Sequence, residues 1–152
     1  MYKKILVPVD GSPASMRGLR EALRVAKAHK SKLRLLHVVG IFVPTPAFAG
    51  GIYLADVEKT LRASGRRVLA RAEAAVRRQR IAVDSVMFET VGGRAADVIV
   101  SHAAKWRAGL IVIGTHGRRG LRRVALGSDA EQVIRTSPVP VLVVRPHRAS
   151  RG

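Results

Sequence analysis

Toward its C-terminal end the sequence reads Ile111-Val112-Ile113-Gly114-Thr115-His116-Gly117, and nine residues later Gly127-Ser128. An apolar run entering a glycine-spaced loop that leads into a helix is suited to holding an anion. Glycine lets backbone N–H groups approach a ligand without a Cβ in the way, and the first turn of a helix offers unpaired N–H donors at the positive end of its dipole. Ser128 is expected to cap that helix and to offer its hydroxyl as well. Four arginines lie between the glycines, in Arg118-Arg119-Gly120-Leu121-Arg122-Arg123. Guanidinium forks match phosphate oxygens, so one or two of them are expected to clamp a polyphosphate while the others face solvent.

These residues need a scaffold. Residues 3–9 are mostly apolar with little alternation, as in a strand buried on both faces of a parallel sheet. The segment 13–30 then sets Leu19, Ala22, Leu23 and Ala26 at helical spacing. The βα pattern repeats: a strand over 33–39, a helix over 54–80, a less evenly buried strand over 82–89, a helix over 94–107, a strand over 110–113, a helix over 128–136 and a strand over 139–144. The inward stripe of the long second helix is read as Leu54, Val57, Leu61, Val68, Ala72 and Val76, with Gly65 weakening its middle. Strands alternating with helices imply a doubly wound α/β layer.

Residues 40–53 carry Pro44, Pro46, Gly50 and Gly51 and cannot be helix throughout. They read as a flexible loop, either a flap near a ligand or an inert insertion. One domain over 1–146 with a frayed tail at 147–152 accounts for the 152 residues.

The spacing G-x2-G-x9-G-[S/T] resembles the nucleotide loop of the universal stress protein family, in its ATP-binding subclass. The opening Lys3-Lys4-Ile5-Leu6-Val7-Pro8-Val9-Asp10-Gly11-Ser12, the middle Leu35-Leu36-His37-Val38-Val39 and the closing Ser137-Pro138-Val139-Pro140-Val141-Leu142-Val143-Val144 follow in that family's order. The resemblance implies a single-domain, five-stranded parallel sheet of strand order 3-2-1-4-5, Rossmann-like and of the adenine nucleotide alpha-hydrolase-like type. Ligands of such sheets bind beyond the carboxyl ends of the strands where the order reverses, here between strands one and four. Both motif pieces, Val9-Asp10-Gly11-Ser12 and Gly114-Thr115-His116-Gly117, end there.

The same resemblance implies the roles of individual residues. Pro8, Val9, Asp10 and Ser12 would border the nucleotide, with Asp10 near the ribose hydroxyls, although a turn or cap aspartate is the plainer reading of it. Val38 would offer its backbone to the adenine edge. Gly114, His116, Gly117, Arg118, Gly127, Ser128 and Asp129 would surround the phosphates of ATP, with magnesium arriving on the nucleotide. His116 reads equally as an exposed loop histidine, and His37 as a hydrogen-bonded core residue. Two departures from the family stand out: Gly109 where an acid commonly precedes strand four, and Asp129 where a small apolar residue follows the Gly-Ser pair. Asp129 suits a helix N-terminus yet would repel a triphosphate.

No cysteine is present and the five histidines do not cluster at metal-ligand spacing. There is no Walker loop, G-x-G-x-x-G, G-x-S-x-G or H-E-x-x-H. No catalytic residue is assigned, and at most slow ATP hydrolysis is expected. No apolar run reaches membrane-spanning length and no leader is evident, so a soluble, cytoplasmic protein is expected. The family implies a homodimer through the strand at 139–144. Two other readings stand beside ATP. One is a cleft tuned to cyclic AMP. The other follows from the net charge of +18: the partner would be RNA, DNA or polyphosphate and the cleft vestigial. Only 3 Phe, 2 Tyr and 1 Trp are available for stacking on bases.

Overall fold

The computed structural model describes residues 2–41, 51–115 and 126–145, the side chains of 51–53 apart. Strand and helix alternate throughout: β1 (Lys4–Pro8), α1 (Pro13–His29), β2 (Lys32–Ile41), α2 (Gly51–Arg78), β3 (Val83–Val91), α3 (Ala95–Trp106), β4 (Leu110–Gly114), α4 (Ser128–Thr136) and β5 (Val141–Val144). All pairings are parallel and the sheet order is β3-β2-β1-β4-β5, as the resemblance implies.

The period of two along each strand divides the core into two layers. Ile5 and Val7 of β1, Leu33 and Leu35 of β2, and Leu110 and Val112 of β4 pack with Leu19, Ala22 and Ala26 of α1 and Leu69, Ala72 and Val76 of α2. Leu6, Leu36, Ile111 and Ile113 point the other way, onto Ala96, Ile99 and Ala103 of α3 and Ala130 and Val133 of α4. β1 and β4 are apolar on both faces because helices cover both.

Several boundaries differ from the sequence reading. β2 continues through Gly40 and Ile41, and α2 begins at Gly51; residues 42–50 of the expected loop lie outside the described residues, as does the expected tail. Val57 is 51% exposed rather than part of the inner stripe of α2. The buried row runs through Gly65, Leu69, Ala72 and Val76, and Val57 falls about 80° from Gly65 around a helix of 3.6 residues per turn. Gly65 does not interrupt α2, which is continuous over 28 residues. β5 starts at Val141 because the chain before it turns, with Ser137 Oγ bonding both to Val139 N and to Val139 O.

At the amino ends of the strands, the edge strand β3 is fastened by charge. Arg34 stands directly opposite Asp84 across the β2–β3 ladder, with Nε to Oδ1 at 2.6 Å and a second guanidinium nitrogen to Oδ2 at 2.9 Å. Lys32 Nζ adds a contact at 2.7 Å. These partners, Arg34 foremost, hold the Asp84 carboxyl down to about 2, well below the ordinary carboxylate range. The Arg34 guanidinium also lies over the Trp106 ring at 4.5 Å, tying α3 to the same cluster.

Candidate functional site

The turn after β1 is organised by its own side chains. Gly11 takes φ +80°, a left-handed conformation that favours glycine. Asp10 Oδ1 accepts from Ser12 N at 2.8 Å. Ser12 is the N-cap of α1: its Oγ accepts from Ser15 N at 3.1 Å, and Pro13 fills the first helical position. Ser15 Oγ in turn donates to Ser12 O at 3.0 Å and accepts from Asp10 N at 3.3 Å. Asp10 therefore fulfils the plainer reading, a turn aspartate. A carboxylate has about four lone-pair sites, so that bond leaves capacity for a diol as well.

Hydrogen bonds join this turn to β2. Val9 N donates to Leu36 O at 2.8 Å, so the backbone groups of Leu36 face β1. By the alternation of a strand those of Val38 face the same side, two residues beyond the point where β1 has ended at Pro8. The Val38 side chain packs against the α3/α4 layer, while Val9 is core at 2% exposure and contributes only its backbone. His37 is buried, and its Nδ1 donates to Val9 O at 2.7 Å, which fixes the tautomer. It is the packed core histidine expected from the sequence.

The other side of the site is built on β4. A Cβ on Gly114 would lie 2.5 Å from the Ala14 carbonyl carbon and closer still to its oxygen, and a Cβ on Gly18 would lie 3.1 Å from Gly114 N. Gly114 thus lets the first turns of α1 rest directly on the end of β4. Thr115, buried at 2% exposure, connects the neighbouring elements: its N–H donates to Val144 O at 3.1 Å, and its carbonyl accepts from Gly127 N at 2.6 Å. Thr115 and Gly18 carry no signal in the sequence because each acts through a backbone contact with a distant element, and Ser15 carries none because its Oγ serves only the backbone of its own turn.

The helix that follows is capped differently from the expectation. Glu131 N donates to Gly127 O at 2.9 Å, so the N-cap is Gly127 and Ser128 is the first helical residue; no side-chain hydrogen bond caps α4. Ser128 is corrected from cap to exposed first-turn residue, with Asp129 exposed beside it. His116, Gly117 and Arg118 lie outside the described residues.

Pro8, Val9, Asp10 and Ser12, Val38 in the part of β2 that runs beyond the end of β1, Gly114, and the α4 start at Gly127, Ser128 and Asp129 are therefore linked through a short series of bonds and contacts at the carboxyl ends of the strands. Among the described residues, no group of three His, Asp or Glu side chains could hold a metal ion, and no helix is long and apolar enough to cross a membrane.

A parallel sheet of this order, with α1 and α4 leaving neighbouring strands toward opposite layers, defines a doubly wound α/β protein with a crevice at its switch point. The chain belongs to the universal stress protein family, whose model matches residues 1–145. It is 35% identical over 147 residues to a universal stress protein of Methanocaldococcus jannaschii, covering 95% of this chain and 83% of that one. The solved structure of UspA from Lactobacillus plantarum is similar at a TM-score of 0.83 and 27% identity, covering 95% of this chain and 98% of that one. A universal stress protein solved in complex with cAMP is similar at a TM-score of 0.62 and 28% identity, covering 95% and 97%.

Proposed function

We propose that the crevice between β1 and β4 binds ATP and that the protein acts as a nucleotide-dependent regulator of a stress response, with at most slow hydrolysis. The observation that carries this reading is the linkage of Asp10, Ser12, Val38, Gly114 and Gly127 at one end of the sheet. In it the Val38 backbone takes the adenine edge, Asp10 the ribose diol, and the first turn of α4 with the glycine loop the phosphates. A similar universal stress protein solved in complex with cAMP supports an adenine nucleotide as the class of ligand. Magnesium would arrive with ATP: among the described residues the crevice offers it the separate carboxylates of Asp10 and Asp129.

Calorimetric titration of ATP in high salt tests the proposal, because salt suppresses loose attraction to a basic surface. The wild type should bind saturably. Gly117→Val should abolish binding by filling the loop. Asp129→Asn should tighten it about threefold to tenfold, since removing one charge beside a triphosphate at partly exposed positions is worth about 1 kcal/mol. Absence of binding in the wild type refutes the reading. A cyclic AMP affinity exceeding that for ATP would assign the crevice to the cyclic nucleotide instead.

We further propose a homodimer through β5. Ile111 N donates to Pro140 O and Thr115 N to Val144 O, so Val144, and by alternation Leu142, direct their backbone groups to β4. Val141 and Val143 direct theirs outward. Val143→Pro removes an outward donor and leaves the β4 ladder intact. The wild type should be a dimer by light scattering and the variant a monomer; a variant that stays dimeric excludes this seam.

A further inference from the structure

The positive charge is unevenly placed. In the layer formed by α1 and α2, residues 13–30 and 51–80 carry 13 Lys and Arg against four carboxylates, a net +9. In the opposite layer, residues 94–107 and 128–136 carry four against three, a net +1. On α2 three acids are present, yet Glu58 and Glu73 are taken by Arg62 and Arg77. Arg66, Arg67, Arg71 and Arg78 are all exposed and make no ion pair with a described residue.

Their placement around the helix is ordered. Taking the buried Gly65 as the inward direction, Arg67, Arg71 and Arg78 fall within about 40° of one another on the outer face, at 100° per residue. Lys59, Arg66 and Arg77, the last ion-paired with Glu73, form a second row about 100° away. Between the rows lie Ala63, Ala70 and Ala74, the last two exposed. The result is a rigid strip with a low floor of alanine between two guanidinium-rich edges, about 28 Å long at 1.5 Å per residue. That length matches roughly eight base pairs of duplex at 3.4 Å each.

We propose that the outer face of α2 binds the phosphate backbone of duplex nucleic acid, independently of sequence. Arginine forks suit phosphate oxygens, and the small floor lets a sugar-phosphate strand settle between the rows. Tyr53 and the five other aromatic residues include none over 54–80, so the strip has no platform for stacking single-stranded bases. A membrane surface fits poorly, because membrane-surface helices bury Trp, Phe or Leu opposite their charges. The large exposed apolar side chain described on α2 is Val57, near its start. Since α1 and α2 begin at the carboxyl ends of the strands and run away from them, the strip extends from the crevice toward the far end of the sheet.

The test is fluorescence anisotropy of labelled 20-base-pair DNA and RNA duplexes over a salt series. Wild type is compared with R66Q/R67Q/R71Q/R78Q and with a charge-matched R94Q/K105Q/R107Q/R135Q on the opposite layer. Wild type should bind both duplexes, with log affinity falling linearly in log salt. The α2 variant should bind about 100-fold more weakly at 100 mM salt, with the slope reduced by about 1 for each arginine in contact. The opposite-layer variant should lose less than about threefold. Thermal unfolding and ATP titration of both variants should match wild type. Equal losses in the two variants, no duplex binding at 50 mM salt, tighter binding of a single strand, or binding of phosphatidylserine vesicles with none of duplex would each overturn the proposal. Tighter binding of either the DNA or the RNA duplex, with the α2 variant still the weaker binder, would retain the face and name the preferred duplex.

Discussion

Gly114→Ala should destabilise the protein by about 3 kcal/mol, lowering its melting temperature by about 10 °C for a domain of this size. Alanine would be the better residue on entropic grounds alone, since removing a glycine stiffens the unfolded chain by about 0.4–1 kcal/mol. Gly114 is not among the glycines at positive φ, so no conformational penalty opposes the change. The opposition is steric: the new Cβ would lie 2.5 Å from the Ala14 carbonyl carbon and 3.1 Å from Ser15 N. Both are backbone atoms, so no side chain can rotate away, and α1 must lift from β4. Lifting it strains the turn in which Ser12 accepts from Ser15 N and Asp10 accepts from Ser12 N, so ATP affinity should fall along with stability. Circular dichroism melts and the calorimetric titration read the two effects. A melting temperature within about 2 °C of wild type would show that the two elements are not held as closely as described.

The same contact explains what was legible in the sequence. The five strands and four helices are legible because apolar runs and helical spacing are local, and that spacing predicts α4 at its observed bounds, Ser128–Thr136. The motif glycines could be read as a loop, but not Gly114 as the seat of α1, because that contact joins residues 100 positions apart in the chain. Strand order came from family resemblance, since periodicity does not say which strands are neighbours. Glycine also misled: Gly50 and Gly51 suggested loop through Tyr53, whereas α2 begins at Gly51, where a helix terminus tolerates what its interior would not. Ser128 looked like the cap because serine favours that position; the carbonyl of Gly127 accepts the first helical bond instead.

Gly65→Ala carries the second large effect, with a sign opposite to helix propensity. Inside a helix of 28 residues, alanine should gain about 1 kcal/mol over glycine. Here its Cβ would lie 2.6 Å from His37 Cδ2 and 2.9 Å from Met87 Sδ. Met87 has three rotatable bonds and can yield. His37 cannot yield cheaply: it is buried, and its Nδ1–H holds the Val9 carbonyl at 2.7 Å. Turning the ring would leave two buried polar groups without each other, a cost of about 1–3 kcal/mol. Overlap and the lost bond together exceed the propensity gain, and a net loss of about 2 kcal/mol is expected. A double-mutant cycle isolates the cause. With His37→Ala already in place, Gly65→Ala should become neutral or stabilising, because the ring that it would strike is gone. If Gly65→Ala costs as much without the imidazole as with it, contact with His37 is not what requires a glycine at this point of α2.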